Sequence, residues 1–162
     1  MITYLQGDAT QPLDTGDKIR VIAHSCNDDG VWGGGVGFAL SRRWAAPKEA
    51  YRLWYREQRG FELGAIQLRH VEPGISVCNM IAQHGGGAKG GVSPIHHEAL
   101  AMCLRSLGDL LHDHSASVHM PRIGCGLAGG TWDKVEPLIQ EHLCDQGSNV
   151  YVYDLEKKDA QL

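Results

Sequence analysis

His24-Ser25-Cys26-Asn27-Asp28-Asp29-Gly30-Val31-Trp32-Gly33-Gly34-Gly35-Val36-Gly37 joins the end of an apolar run to the start of a helix-like segment. The polar side chains from His24 to Asp29 can donate and accept hydrogen bonds, and the three consecutive glycines let backbone N–H groups approach a ligand closely. Delivered by a strand and followed by a helix N-terminus, which carries partial positive charge, such a loop has the chemistry of an anion site. A glycine-rich turn without a ligand is the alternative use of the same residues.

Working outward, Lys18 to His24 carries Ile19, Val21, Ile22 and Ala23, nearly continuous apolar character that suits a strand covered on both faces. Ile2 to Leu5 predicts a shorter strand, broken by Gly7-Asp8-Ala9-Thr10. Beyond the glycines, Val36, Ala39, Leu40 and Arg43 keep helical spacing. A second helix is predicted from Pro47, where a missing N–H costs little, with Ala50, Leu53 and Trp54 as its buried stripe. Gly64 to Leu68 and Ser76 to Ala82 are the next predicted strands, joined by a turn at Glu72-Pro73-Gly74; the second ends in Gln83-His84 before Gly85-Gly86-Gly87. Pro94 is predicted to open the longest helix, whose stripe comprises Ala99, Cys103, Leu107 and Leu110, widened by Leu100, Leu104 and Leu111. Ser117 to Arg122 predicts another strand, followed by the glycine-rich Ile123 to Gly130, an N-cap at Thr131, and a helix with Val135, Leu138, Ile139 and Leu143 on one face. Asn149 to Tyr153 is the last predicted strand. This alternation predicts an α/β fold: a three-layer α/β/α sandwich around a mixed, mostly parallel sheet, one domain over residues 1–155 with a polar tail at 156–162.

Composition narrows the function. The chain has 162 residues, 43% apolar and 21% charged, as expected of one folded domain rather than a disordered chain. Glycine, at 21 residues, is close to twice its usual share of about 7%. A net charge of −4 and the absence of any Lys/Arg-rich run predict no broad nucleic-acid surface. Five cysteines without a C-x-x-C pair suggest reduced thiols, and with no H-E-x-x-H either, no metal is expected. No signal-like segment and no membrane-length apolar run are found, so the expectation is a cytoplasmic monomer.

All three glycine loops follow a predicted strand and precede a predicted helix, which places them on the carboxyl edge of a parallel sheet, where ligands bind. Facing loops of this kind can enclose a diphosphate through their amides, Gly33 to Val36 on one side and Gly124 to Leu127 on the other. A Walker-type phosphate loop needs Gly-Lys followed by Ser or Thr, whereas Lys89 lies between Ala88 and Gly90. Gly124-Cys125-Gly126-Leu127-Ala128-Gly129 matches G-x-G-x-x-G, with Asp154 near a ribose-binding acid's position, but a dinucleotide fold needs further strands and only eight residues follow.

Three ordered motifs now carry a resemblance: Gly7-Asp8-Ala9-Thr10, then His24-Ser25-Cys26-Asn27 with Gly33-Gly34-Gly35-Val36, then Met120-Pro121-Arg122-Ile123-Gly124-Cys125-Gly126-Leu127. Over nearly the whole chain they resemble the macrodomain family of ADP-ribose binders. The first-loop motif with Trp32 is similar to the ADP-ribose 1″-phosphate phosphatases, and the last motif to the terminal ADP-ribose protein glycohydrolase. The resemblance implies a macrodomain-like fold, no cofactor, and ADP-ribose and ADP-ribosylated proteins as partners. It implies that Asp8, with Ala9 beside it, receives the adenine amino group and that Asn27 touches the distal ribose. Gly33, Gly34, Gly35 and Val36, with Ile123, Gly124, Cys125, Gly126 and Leu127, would wrap the diphosphate and distal ribose. Turn formation is the alternative role for Asp8 and Asn27.

The glycohydrolase it resembles uses a lysine and an aspartate that align here with Gln83 and Ala128. Gln83 has no amine to form a Schiff base and Ala128 no proton acceptor, so that mechanism does not carry over. Cleavage at C1″ without a covalent intermediate remains open, with Asn27 holding the ribose, Gln83 beside it, and Asp28, Asp29, His24 or His84 as base. The expectation is hydrolysis of ADP-ribose from modified acidic side chains. A phosphatase on ADP-ribose 1″-phosphate and a non-catalytic reader are the alternatives.

Overall fold

The computed structural model describes residues 1–85, 94–124 and 132–155. Among them one sheet is built from β1 (Ile2–Gln6), β2 (Ile19–Asn27), β3 (Ile66–Glu72), β4 (Ile75–Gln83), β5 (Ala116–Pro121) and β6 (Asn149–Asp154). The helices are α1 (Val36–Arg43), α2 (Ala46–Glu57), α3 (His97–Leu111) and α4 (Trp132–Ile139), the last running on into a π-helical turn, Gln140–Cys144. The strand order is β1-β6-β5-β2-β4-β3. All neighbours are parallel except β3, which pairs antiparallel with β4. The expected mixed, mostly parallel sheet with helices on both faces is what the chain forms, and no described helix is long and apolar enough to cross a membrane.

Two-residue periodicity along the central strands sets the layers. Val21 and Ala23 of β2, with Cys78, Met80 and Ala82 of β4, pack under α3 and α4 against Leu100, Cys103, Leu104 and Leu107. The intervening Ile22, Ile75 and Val77 meet Leu40 of α1, and Cys26 and Ile81 meet Tyr51 of α2. Trp32 belongs to both of these smaller clusters, so the first glycine loop is anchored by an aromatic wedge beneath it.

Several expectations shift. The strand expected to end at His24 runs three residues further, because Ser25 and Cys26 continue the ladder with Met80 and Ile81. Leu53 and Leu110, expected in buried stripes, are 47% and 54% exposed, since α2 turns Pro47 and Tyr51 inward and α3 turns Leu107 and Leu111. The longest helix starts at His97 rather than Pro94, with the His96 imidazole accepting from the Ala99 N–H. Over β5 and β6 no helix among the described residues covers the α1 side of the sheet; instead the segment after β1 lies there, its Leu13 N–H donating to the Tyr153 hydroxyl and Arg20 reaching Pro12 O. Thr131 lies outside the described residues.

Candidate functional site

The five parallel strands β1, β6, β5, β2 and β4 bring their carboxyl ends to one edge, and the residues just beyond those ends form the candidate site. At β2 a register shift between Cys26 and Asn27 turns the chain out of the ladder. Asn27 then builds the loop: its Oδ1 accepts from the amides of Asp29 (2.9 Å) and Val31 (3.3 Å), and its Nδ2 donates to Val31 O (2.7 Å). The buried Tyr51 hydroxyl lies 2.8 Å from Asn27 O and 2.9 Å from Oδ1. The Asn27 side chain thus serves the loop, with one amide hydrogen left to offer a ligand. Gly30, at φ +79°, is pressed on the Tyr55 ring, where a Cβ would stand 2.4 Å from the nearest ring carbon.

The triple glycine differs from Gly30. Gly33, Gly34 and Gly35 are exposed, none has a positive φ, and a Cβ at any of them would meet nothing within 4 Å. Neither packing nor left-handed backbone calls for glycine at Gly33 or Gly34. Gly35 is the N-cap of α1, no side chain caps the helix, and its first turn carries no acidic residue. Among the described residues no side chain therefore caps the first N–H groups of α1, Val36 included, and an uncapped helix start is where a helix receives an anion. Trp32 does not lie over this loop: its Nε1 donates to Gly37 O (2.7 Å) and its ring packs against His24 and Tyr51.

At the end of β1, Gly7 N–H donates to Asp154 O (2.8 Å) and Asp8 closes a turn, its Oδ1 accepting from the Thr10 amide and hydroxyl, both at 2.8 Å. Oδ2 of Asp8 has no partner among the described residues. Ala9 is buried, so only its backbone is available. Arg43 of α1 donates to Thr10 O, tying this turn to the helix that carries the glycine loop. At the end of β5, Ile123 is a core side chain and contributes backbone only. Gly124 has φ +79° with Ile95 Cγ1 2.4 Å from where a Cβ would stand, so the fold itself requires glycine there. Cys125, Gly126 and Leu127, as well as Ala128, lie outside the described residues. Arg122, at the end of β5, forms a two-pronged pair with Asp154 (2.7 and 3.0 Å) against the rings of Tyr4 and Trp132.

Of the expected polar groups, His24 is not at the edge. It is 2% exposed, and its Nε2 meets Asn79 Oδ1 at 2.5 Å. Because Asn79 Nδ2 donates to Pro47 O and Gln67 Oε1, the imidazole must be the donor in that bond. Burial lowers its pKa to about 4, so His24 is a neutral core group that pins α2 to the sheet rather than a base within reach of a ligand. Gln83 accepts the Ser25 hydroxyl (2.9 Å). Asp28, by contrast, holds the end of β4: its amide donates to Gln83 O (3.0 Å), its Oδ1 accepts the Gly85 amide (2.7 Å), and its Oδ2 lies 2.6 Å from His84 Nδ1. Partial burial pushes the Asp28 carboxyl up, but the Gly85 amide and His84 outweigh it and hold it below its ordinary value. The hydrogen bond to Asp28 raises His84 in turn. Asp29 makes no such pair among the described residues. Asp28 and His84 also line an open cavity of about 650 Å³ with Tyr55, Arg56, Phe61 and Glu62.

A family model described as Macro domain matches residues 23–139. This chain is a macrodomain. Over 99% of its length the macrodomain is 32% identical to the chromodomain-helicase-DNA-binding protein 1-like of Mus musculus, but it spans only 18% of that protein. It is 24% identical to the ADP-ribose 1″-phosphate phosphatase of Candida albicans, covering 94% of this chain and 99% of that one. In structure it is similar to a macrodomain protein from Streptomyces coelicolor, with 46% identity and a TM-score of 0.83 over 95% and 99% of the two chains. The macrodomain's Asp28–His84 pair joins residues 56 apart in the chain. Only the adjacency of β2 and β4 could have announced it, since residues just past the ends of neighbouring parallel strands lie side by side.

Proposed function

We propose that this macrodomain binds ADP-ribose along the carboxyl edge of its sheet and hydrolyses it from modified acidic side chains without a covalent lysine intermediate. The observation that carries the reading is the run Gly33-Gly34-Gly35, whose glycines face open space at the uncapped start of α1. Residues with no internal reason to be glycine have an external one when a diphosphate must approach the backbone. Asp8, three inter-strand steps or about 14 Å from β2, keeps a free carboxylate oxygen for an adenine amino group, which suits an extended ligand. Asn27 and the amides of Val36 and of residues 123–127 complete the contacts in this reading, with ADP-ribosylated proteins as the larger partners. Gln83, at the position of the glycohydrolase's lysine, has no amine to form a Schiff base, which supports opening of the linkage by water.

The similarity to the Candida albicans phosphatase over nearly its full length favours a second reading, hydrolysis of ADP-ribose 1″-phosphate. Both break a bond at the same ribose. Calorimetry with ADP-ribose tests the pocket, and release from a glutamate-linked ADP-ribosylated peptide is then compared with phosphate release from ADP-ribose 1″-phosphate. Binding with neither release makes the protein a reader; no binding refutes the pocket itself.

A further inference from the structure

The polar groups that the edge offers for water activation are unequal. His24 is sealed in the core, Gln83 does not titrate, and among the described residues Asp29 has no partner that orients its carboxylate. His84 differs. Its Nδ1 is held at 2.6 Å by Asp28 Oδ2, while the other Asp28 oxygen is fixed by the Gly85 amide at 2.7 Å, so the carboxylate is anchored before it anchors the ring. A carboxylate that receives the Nδ1 proton leaves Nε2 as the acceptor. That nitrogen has no partner among the described residues, and the side chain is 74% exposed. The pair stands at the adjoining ends of β2 and β4, Asp28 in the loop that carries the glycine run and His84 at the start of the loop after β4, and both residues line the open cavity.

We propose that His84, oriented by Asp28, is the general base that activates water at the distal-ribose linkage; the inference rests on the hydrolase reading above. Nε2 takes one proton from water, and the water oxygen bonds to C1″. The C1″–O bond breaks with its electron pair on the departing carboxylate, and the imidazolium returns the proton to solvent. Products are ADP-ribose and the free acidic side chain. His84 is the catalytic residue and Asp28 a positioning residue. Among the described residues the other charged groups around the pair are Asp29 next to Asp28, Arg56 of α2 and Glu62 before β3. Among the described residues Arg56 is the cation on that cavity wall, and it suits a leaving carboxylate.

The test follows ADP-ribose release from a glutamate-linked ADP-ribosylated peptide by the wild type, H84Q and D28N over a pH series, with calorimetry of ADP-ribose binding for each. Expected for H84Q is a loss of turnover of about 10²–10⁴-fold with unchanged ADP-ribose affinity, the usual contribution of a general base. D28N is expected to move the acid limb of the profile to lower pH, because the anion that raises His84 is gone. Wild-type turnover by H84Q, or an unmoved limb in D28N, overturns the base assignment while leaving the hydrolase reading intact. A wild type that binds ADP-ribose but releases none overturns both, and the binding reading survives.

Discussion

Replacing Gly34 by valine separates a glycine kept for the fold from one kept for a ligand. A Cβ at Gly34 meets nothing within 4 Å, and its φ is not in the left-handed region. The substitution should therefore leave stability within about 0.5 kcal/mol of wild type, as at other open surface positions. Affinity should respond in the opposite way. If the branched side chain keeps a diphosphate from one backbone N–H, the loss is that of a hydrogen bond to a charged group, about 1.5–3 kcal/mol, or roughly 10- to 150-fold in Kd. Gly124→Ala is the internal control. Its Cβ would stand 2.4 Å from Ile95 Cγ1 on a backbone at φ +79°, so overpacking and left-handed strain together should cost about 2–4 kcal/mol of folding stability. Thermal unfolding and ADP-ribose calorimetry on the two variants give four readings. Unchanged affinity in Gly34→Val would refute the phosphate cradle, and a large loss of its stability would show that the loop's glycines serve packing after all.

Gly108→Ala should lower the unfolding temperature by several degrees even though alanine is the better helix former, because its Cβ would stand 2.1 Å from the His142 carbonyl oxygen; a higher unfolding temperature would contradict the close helix contact. Acid should destabilise the fold well before the carboxylates titrate. His24 and His119 are both held at about 4, the first by burial and the second by burial and then Arg20, so the unfolded chain binds protons that the folded one refuses. This contribution is complete above about pH 6.5 and is lost as the pH falls toward 4, at a slope of up to about 2.7 kcal/mol per pH unit for the two together. Urea midpoints through that window should fall with pH, and a flat profile would mean the histidines are not sealed. Tyr51→Phe removes the hydroxyl that meets Asn27 at 2.8 and 2.9 Å and should cost about 1 kcal/mol. Faster hydrogen exchange at the Val31 amide, which Asn27 Oδ1 accepts, is the expected signature; unchanged exchange would show that Asn27 holds the loop alone.

Much of the architecture was legible in the residues. Ile19 to Ala23 and Ser76 to Ala82 have the continuous apolar character of central parallel strands, and both are central in the sheet. Ala99, Leu100, Cys103, Leu104 and Leu107 recur at helical steps and all are buried. The glycine loops after β2 and β5 start on the expected edge because strand, loop and helix follow in order. Other features resisted. His24 looked like a loop residue because a polar side chain interrupts the apolar run, yet its register partner Asn79 supplies the acceptor that lets it be buried. Leu53 and Leu110 looked like core because helical spacing admits a wider stripe than the sheet can cover. The buried Ser117–His119–Tyr153 chain, with contacts of 2.8 and 2.7 Å, exists because the segment after β1 lies over β5 and β6, which no periodicity foretells.

By itself the sequence determined which stretches become strands and helices, the single mixed sheet, and the edge on which three glycine loops begin, because these follow from side-chain patterns within a few residues. Only the tertiary structure decided the use of each group. It separated Gly33 and Gly34, which face open space, from Gly30 and Gly124, pressed on Tyr55 and Ile95. It put His24 in the core and His84 on Asp28, 56 residues away. Burial, pKa and partnership depend on neighbours brought together by strand order, and that order is written in the packing of the whole chain rather than in any local run of residues.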